Sequence, residues 1–491
     1  MRAFLAAVTS LVLAIGQPAG AAADDTVPTY HADAARSGHY IVPGLTWAHA
    51  GNLPQDAAFD GRVQGHVFAQ PLYWRPPGSQ HGLVIVASED NTVSALDTAS
   101  GGIVWRRNVG PAAARSALPC GDIDPLGITG TPAIDARSGT LYVDAMVAGG
   151  GRPRHRLFGL ALRDGSIRPG WPVDVETGLR DRGMTFQPRL QNQRGALTLV
   201  GDRLFVPFGG HWGDCGDYHG WVVGVQVSRP AVFGAWKTWA TKGGIWAPGG
   251  LAFDGRSLFA ATGNTDGAPQ WGGGEAIIRL PPDLRWRPDA RDYFAPADWR
   301  RLDADDLDLG GSNPLPIDLP GAALLLALGK DGTAYLLDRS NLGGIGHPLA
   351  VAPVADGPII TAPAAWHAGS DMMVALQARA SSWAGGPAQA GLIALRISGL
   401  PHPAIRPAWG APLDGRGAPI VTTSDGAADP IVWAVGAEGD GRLHGFRGDT
   451  GQTVFDGGRM AGLRHFATIL AAEGRLYVAG DGRVYAFGPA P

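Results

Sequence analysis

The side chains best able to do chemistry are gathered in a few short stretches. His211, Asp214, Asp217 and His219 fall within nine residues. Imidazole and carboxylate at that density suit a transition metal, as in a metal-only hydrolase or oxidase, and equally suit a hydrogen-bonded loop tethered by Cys215. The acidic run Asp303 to Asp308 reads, on charge alone, as a solvated loop. Lys330 is one of three lysines, with Lys237 and Lys242, in a chain that otherwise chooses arginine. That choice marks a task for a compact ammonium rather than a planar fork. Asn264 and Asp217 sit in Gly-rich stretches where their ordinary use is to cap tight turns.

Such residues need a frame, and a repeat supplies it. One unit is plain: Gly82 to Asp97 holds two apolar strands around Glu89-Asp90-Asn91, then Gly101, then a third strand carrying Trp105. Weaker copies begin at Gly139, Asp202, Arg256, Ala323, Asp371, Pro430 and Gly474. Ahead of each lies another short strand, near Pro71, Pro132, Gly195, Pro248, Pro314, Pro363, Pro419 and Thr468, a spacing of about 57 residues. Gly (74) and Pro (39) make almost a quarter of the 491 residues while 45% remain hydrophobic, which fits many short strands and tight turns. These signals predict an all-β fold, a single eight-bladed β-propeller of four-stranded blades. The last unit is short, so an N-terminal strand near Leu45 to Ala50 is expected to close the ring.

In that frame the turns between second and third strands open on one rim. Three are expanded, at 209–220, 262–271 and 377–386, where neighbouring turns stay tight. Long loops among short ones carry function. The stretch Pro119 to Gly127 opens on the same rim and brings Cys120 towards Cys215.

Residues 1–23 have a charged start, a short apolar core and small residues at the end, which predicts a secretory signal and leaves 24–491 as the propeller. The chain is then expected in the periplasm or secreted, with Cys120 and Cys215 as one disulfide. No later stretch is long enough to span a bilayer. A net charge of −4 without a basic run excludes a nucleic-acid footprint.

The core Ala95-Leu-Asp97…Gly101…Trp105 resembles the repeat of quinoprotein propellers, which bind pyrroloquinoline quinone (PQQ); that repeat also occurs in non-enzymatic outer-membrane assembly lipoproteins. Four segments are further similar to the cofactor site of the PQQ-dependent alcohol dehydrogenases. Gly243 to Asp254 resembles the segment whose Trp, here Trp246, lies under the quinone. Thr262-Gly-Asn264 resembles the segment with an Asn ligand to Ca²⁺, and Cys215 to Gly220 the one with a Glu ligand, here Asp217. Leu328 to Asp338 resembles the segment whose Lys, here Lys330, binds the quinone. The stretch before Pro314 looks like that holding the catalytic Asp, which leaves Asp305 and Asp308 as alternatives. The resemblance implies PQQ and Ca²⁺ as cofactors, a small-molecule alcohol or sugar substrate, and a separate electron acceptor, because no Cys-X-X-Cys-His site is present. It departs from the family in lacking two adjacent cysteines and in having Leu126-Gly-Ile-Thr-Gly130 for an Asn-Arg-Gly segment. The competing expectation is a non-catalytic scaffold that binds an envelope protein or glycan on its rim.

Overall fold

Short strands, of two to ten residues, many ended by Gly, Asp or Asn turns, pair mostly antiparallel with the next along the chain. The computed structural model describes residues 26–380, 390–489 and 491. The expected leader, residues 1–23, lies outside them, as do positions 381–386 of the third expanded loop.

Eight sheets result, one per repeat, forming an eight-bladed propeller. Their innermost strands start at Leu72, Ala133, Thr198, Ala252, Leu315, Ala364, Ile420 and Ile469, one to four residues past the positions expected. Middle strands such as Leu83–Ala87 are buried on both faces, because each blade packs against two neighbours. The core is therefore a circle of seams: Leu72, Ile85 and Val93 of blade 1 join Leu141, Val143 and Leu160 of blade 2, and equivalent clusters follow around the ring.

The repeat's Trp and Gly explain each other. Trp105 Nε1 donates to Leu162 O of the next blade at 2.9 Å, and Trp409 Nε1 to Gly448 O at 2.7 Å. Each indole covers a turn glycine at positive φ, Gly165 (69°) and Gly451 (73°), where a Cβ would lie 2.6 Å from the ring.

Two features near the N-terminus differ from expectation. Trp47–Ala50 is a single helical turn, and ring closure falls to residues 55–63. Gln55 bridges Phe487 and Arg62 bridges Arg483, with Asp56 N donating to Ala486 O and Val484 N to Gly61 O. A run as short as Leu45 to Ala50 fits either element by pattern, and packing decides.

The second feature is a plug. Thr26–Val27 pairs with Leu72–Trp74 of blade 1, and His39–Ile41 runs parallel to Ile420–Thr423 of blade 7. Between them the backbone bonds blade 2 (Ile134 N to Pro28 O), blade 4 (Phe253 N to Ala34 O) and blade 6 (Ala365 N to Ser37 O). Arg36, wholly buried, donates to the carbonyls of Tyr30, Leu197 and Leu251 and to the Thr198 hydroxyl. His31, also buried, lies 3.2 Å from both Pro363 O and Thr468 Oγ1.

Candidate functional site

The link from blade 3 to blade 4 carries Trp246, whose indole is half-buried. Two glycines shape its surroundings. A Cβ on Gly263 would come within 2.7 Å of Asp308 Oδ1 and 3.2 Å of Trp246 Nε1, and one on Gly311 within 3.2 Å of the far ring edge. Both positions therefore admit no larger residue without displacing the indole or the carboxylate.

Beside the indole stands a charged cluster from blades 4 and 5. Asp308 is buried; its Oδ1 accepts from Asn264 N at 2.7 Å and its Oδ2 from Lys330 Nζ at 2.9 Å. Lys330 N in turn donates to Asp308 O at 2.9 Å, which fixes the turn Lys330-Asp331-Gly332 against this loop. Asp306 Oδ1 accepts from Lys330 Nζ at 2.8 Å and from Asn264 Nδ2 at 3.0 Å. The ammonium lies 5.8 Å from the Trp246 ring centre, within cation–π range.

Electrostatics follow from this crowding. Burial pushes the Asp308 carboxyl up, against the pull of Lys330. Burial works against the Lys330 ammonium, but Asp308 and Asp306 outweigh it and hold its pKa above the ordinary lysine value. Glu275 lies behind, with Leu309 N donating to its Oε2 at 2.7 Å. Burial first, then the Asp308 charge, raises the Glu275 carboxyl to about 9, so it is protonated at neutral pH.

Trp246, Asn264, Asp308 and Lys330 are thus brought together. Asp305 is not among them: it is exposed and paired with Arg301 at 3.8 Å. Asp303 instead holds the 262–271 loop, accepting from Thr265 Oγ1 at 2.8 Å and Gly267 N at 2.6 Å. Asp306, Glu275, Gly263 and Gly311 are members that the sequence reading did not single out. Only the acidic run and the Gly of Thr262-Gly-Asn264 hinted at them.

Cys120 and Cys215 form a disulfide with Cα atoms 6.1 Å apart, tying the 119–127 stretch to the 209–220 loop. Within that loop the metal candidates each have different partners. His211 Nε2 lies 3.0 Å from Arg189 O, and burial lowers its pKa to about 4. His219 Nδ1 lies 2.8 Å from Ala240 O and its Nε2 3.1 Å from Lys237 Nζ. Asp214 accepts from Tyr218 Oη at 2.5 Å. Asp217 is exposed on the loop, where its charge acts on His219. Among the described residues no three His, Cys, Asp or Glu side chains converge in a metal-binding arrangement. A cavity of about 660 Å³ opens among Arg256, Arg279, Arg285 and Arg339, on the opposite rim, and touches none of the site residues.

Known structures share this frame. The chain superposes on the quinohemoprotein alcohol dehydrogenase ADHIIG of Pseudomonas putida HK5 with a TM-score of 0.67 at 14% identity, covering 95% of this chain and 82% of that one. For the quinohemoprotein alcohol dehydrogenase of Comamonas testosteroni the TM-score is 0.63 at 17% identity, covering 96% and 82%. BamB from Moraxella catarrhalis gives 0.50 at 16% identity, covering 89% and 97%. No family model matches the sequence, and no curated protein matches it. The fold is that of the quinoprotein alcohol dehydrogenases. At these identities the likeness is one of architecture.

Proposed function

We propose that this chain is an exported dehydrogenase that oxidises an alcohol or sugar hydroxyl with PQQ and Ca²⁺ bound at the Trp246–Asp308–Lys330 cluster. The residues fit those groups. A half-buried indole edged by two glycines suits a flat ring system, and Asp306, Asp308 and the Asn264 side chain bring hard oxygen donors to one place. The quinone, when bound, would supply the two-electron acceptor for hydride. Trp246 would form its floor and Lys330 would hold its anionic edge. Asn264 would ligate the cation, with Asp217 as a further ligand if its loop folds inward. Asp308, a buried carboxyl hydrogen-bonded to Lys330 and held above the ordinary carboxylate range, would take the proton from the substrate hydroxyl. The observation that carries this reading is the convergence of Trp246, Asn264, Asp308 and Lys330, four residues spread over 85 positions of sequence. Electrons would leave through a separate acceptor, since the two cysteines are both in the disulfide.

Adding PQQ and Ca²⁺ to the purified protein is expected to raise its melting temperature and permit dye reduction with an alcohol. Asp308→Asn should abolish turnover, by at least about a hundredfold, while leaving the cofactor-dependent thermal shift. No shift at saturating cofactor would overturn the reading. A second reading draws on two observations: Asp306 and Asp308 already satisfy Lys330, and BamB shares the fold. It makes the rim a docking surface for an envelope protein, and metal analysis showing no bound Ca²⁺ would favour it. Export rests on residues 1–23 together with the disulfide; mass spectrometry of the secreted chain should find it begin near residue 24.

A further inference from the structure

A buried charge outside the cluster beside Trp246 lies at the inner end of blade 3. Arg194 precedes the inner strand of blade 3 and reaches across to residues that precede those of blades 1 and 8. Its guanidinium carbon lies 5.4 Å from the Phe68 ring centre and 5.1 Å from that of Phe466. It is 8% exposed. Phenyl faces attract the cation but give its N–H groups no ordinary acceptor, and Nη2 is buried without a hydrogen-bond partner. Among the described residues no carboxylate lies within ion-pairing distance of it.

Nearby charges do not compensate it. Arg464, which also overlies Phe68 at 5.6 Å, is neutralised by Asp481 at 2.5 Å. Glu89 and Asp122 act on Arg194 only at longer range; Glu89 Oε2 accepts from Gly127 N at 2.7 Å, and its Oε1 is itself buried without a partner. Tyr30, from the plug, faces the same charge; it is 2% exposed and its hydroxyl is likewise buried without a partner. A buried guanidinium and a buried hydroxyl, both unpaired, are costly in a folded protein unless something meets them.

We propose that Arg194 and the Tyr30 hydroxyl form a receptor for a small carboxylate-bearing molecule that enters by the funnel. The guanidinium fork matches a planar carboxylate through two parallel N–H···O bonds, and the tyrosine O–H can donate to the same anion. Phe68 and Phe466 confine the ligand head to the plane of the fork. Gly195, the residue after Arg194, packs against Ala247 and Gly250, so this receptor and Trp246 share one end of the channel. The receptor is independent of the quinone reading and stands or falls without it.

Thermal unfolding of the intact chain without quinone, in acetate or phosphate exchanged for chloride at constant ionic strength, tests this. Acetate is expected to raise the melting temperature saturably, and phosphate, whose bulkier tetrahedral head fits less well between the Phe68 and Phe466 rings, to act more weakly. Arg194→Lys should weaken the acetate response about tenfold, Arg194→Gln should remove it, and Tyr30→Phe should weaken it. Lys330→Gln should leave it intact, which separates this receptor from the cluster beside Trp246. No saturable acetate effect on the parent chain, or an equal effect in a folded Arg194→Gln variant, would overturn the proposal.

Discussion

Asp308 and Glu89 show how far single side chains can be read from sequence. Asp308 lay in an acidic run whose bland reading is solvent, yet its chain position before Pro314 leaves it buried with Lys330 and Asn264, whereas Asp305 three residues earlier is exposed. Charge composition carries no record of which face of a loop turns inward, so the two stayed alternatives until packing separated them. By sequence Glu89 is a turn residue, yet it is fully buried, with burial pushing its carboxyl to about 7. Its folded pKa exceeds the unfolded value of 4.5, so the native state holds a proton that the unfolded chain releases. Stability is then full below pH 4.5 and declines as pH rises to about 7, by a total of roughly 3 kcal/mol. Urea titrations across that window should show the decline, and Glu89→Gln, which keeps an acceptor for Gly127 N–H, should remove the Glu89 share of it and leave that of Glu275, whose carboxyl is also raised.

At the scale of elements, the strands were legible because alternation, Pro starts and Gly turns are local signals. The Trp105–Gly165 pair shows why the seams were only half legible. Trp105 is recognisable as part of the repeat, but its partner turn belongs to the next blade and no local pattern names it. Gly165→Ala would set a methyl 2.6 Å from the indole at a φ of 69°, and is expected to cost about 2–3 kcal/mol by chemical denaturation. A matching substitution at Gly369, at a φ of 67° but with nothing within 4 Å, should cost less, which isolates the seam contact from backbone strain. The closing segment was misplaced for a related reason. Only the free edge of Arg483–Phe487 selects residues 55–63 as its partner, and that edge is invisible from the N-terminal sequence.

For the whole molecule, eight repeats at one period made the architecture readable, and the shared fold with quinohemoprotein dehydrogenases agrees with it. The plug is not legible because Tyr30-His-Ala-Asp-Ala-Ala-Arg36-Ser-Gly38 has a linker's composition; it is buried because inner-strand amides around the axis donate to its carbonyls and Arg36 donates to inner-strand carbonyls. Arg36→Ala would remove a donor from the carbonyls of Tyr30, Leu197 and Leu251, leaving the last two only the Thr29 and Thr198 hydroxyls, and is expected to lower stability by about 2–4 kcal/mol, read as a fall in midpoint with an unchanged denaturant slope.

That axial segment also sets an order of events. Its docking surfaces on blades 2, 4, 6 and 7 are made from residues 134 to 423, long after residues 26–41 have left the ribosome. The earliest stretch of chain must therefore wait unprotected until most of the circle exists, and contacts of such separation form slowly. Pulse-labelled hydrogen exchange during refolding should find the amides of Ile134, Phe253 and Val421 among the last to become protected, with the blade interiors sealed well before the hub.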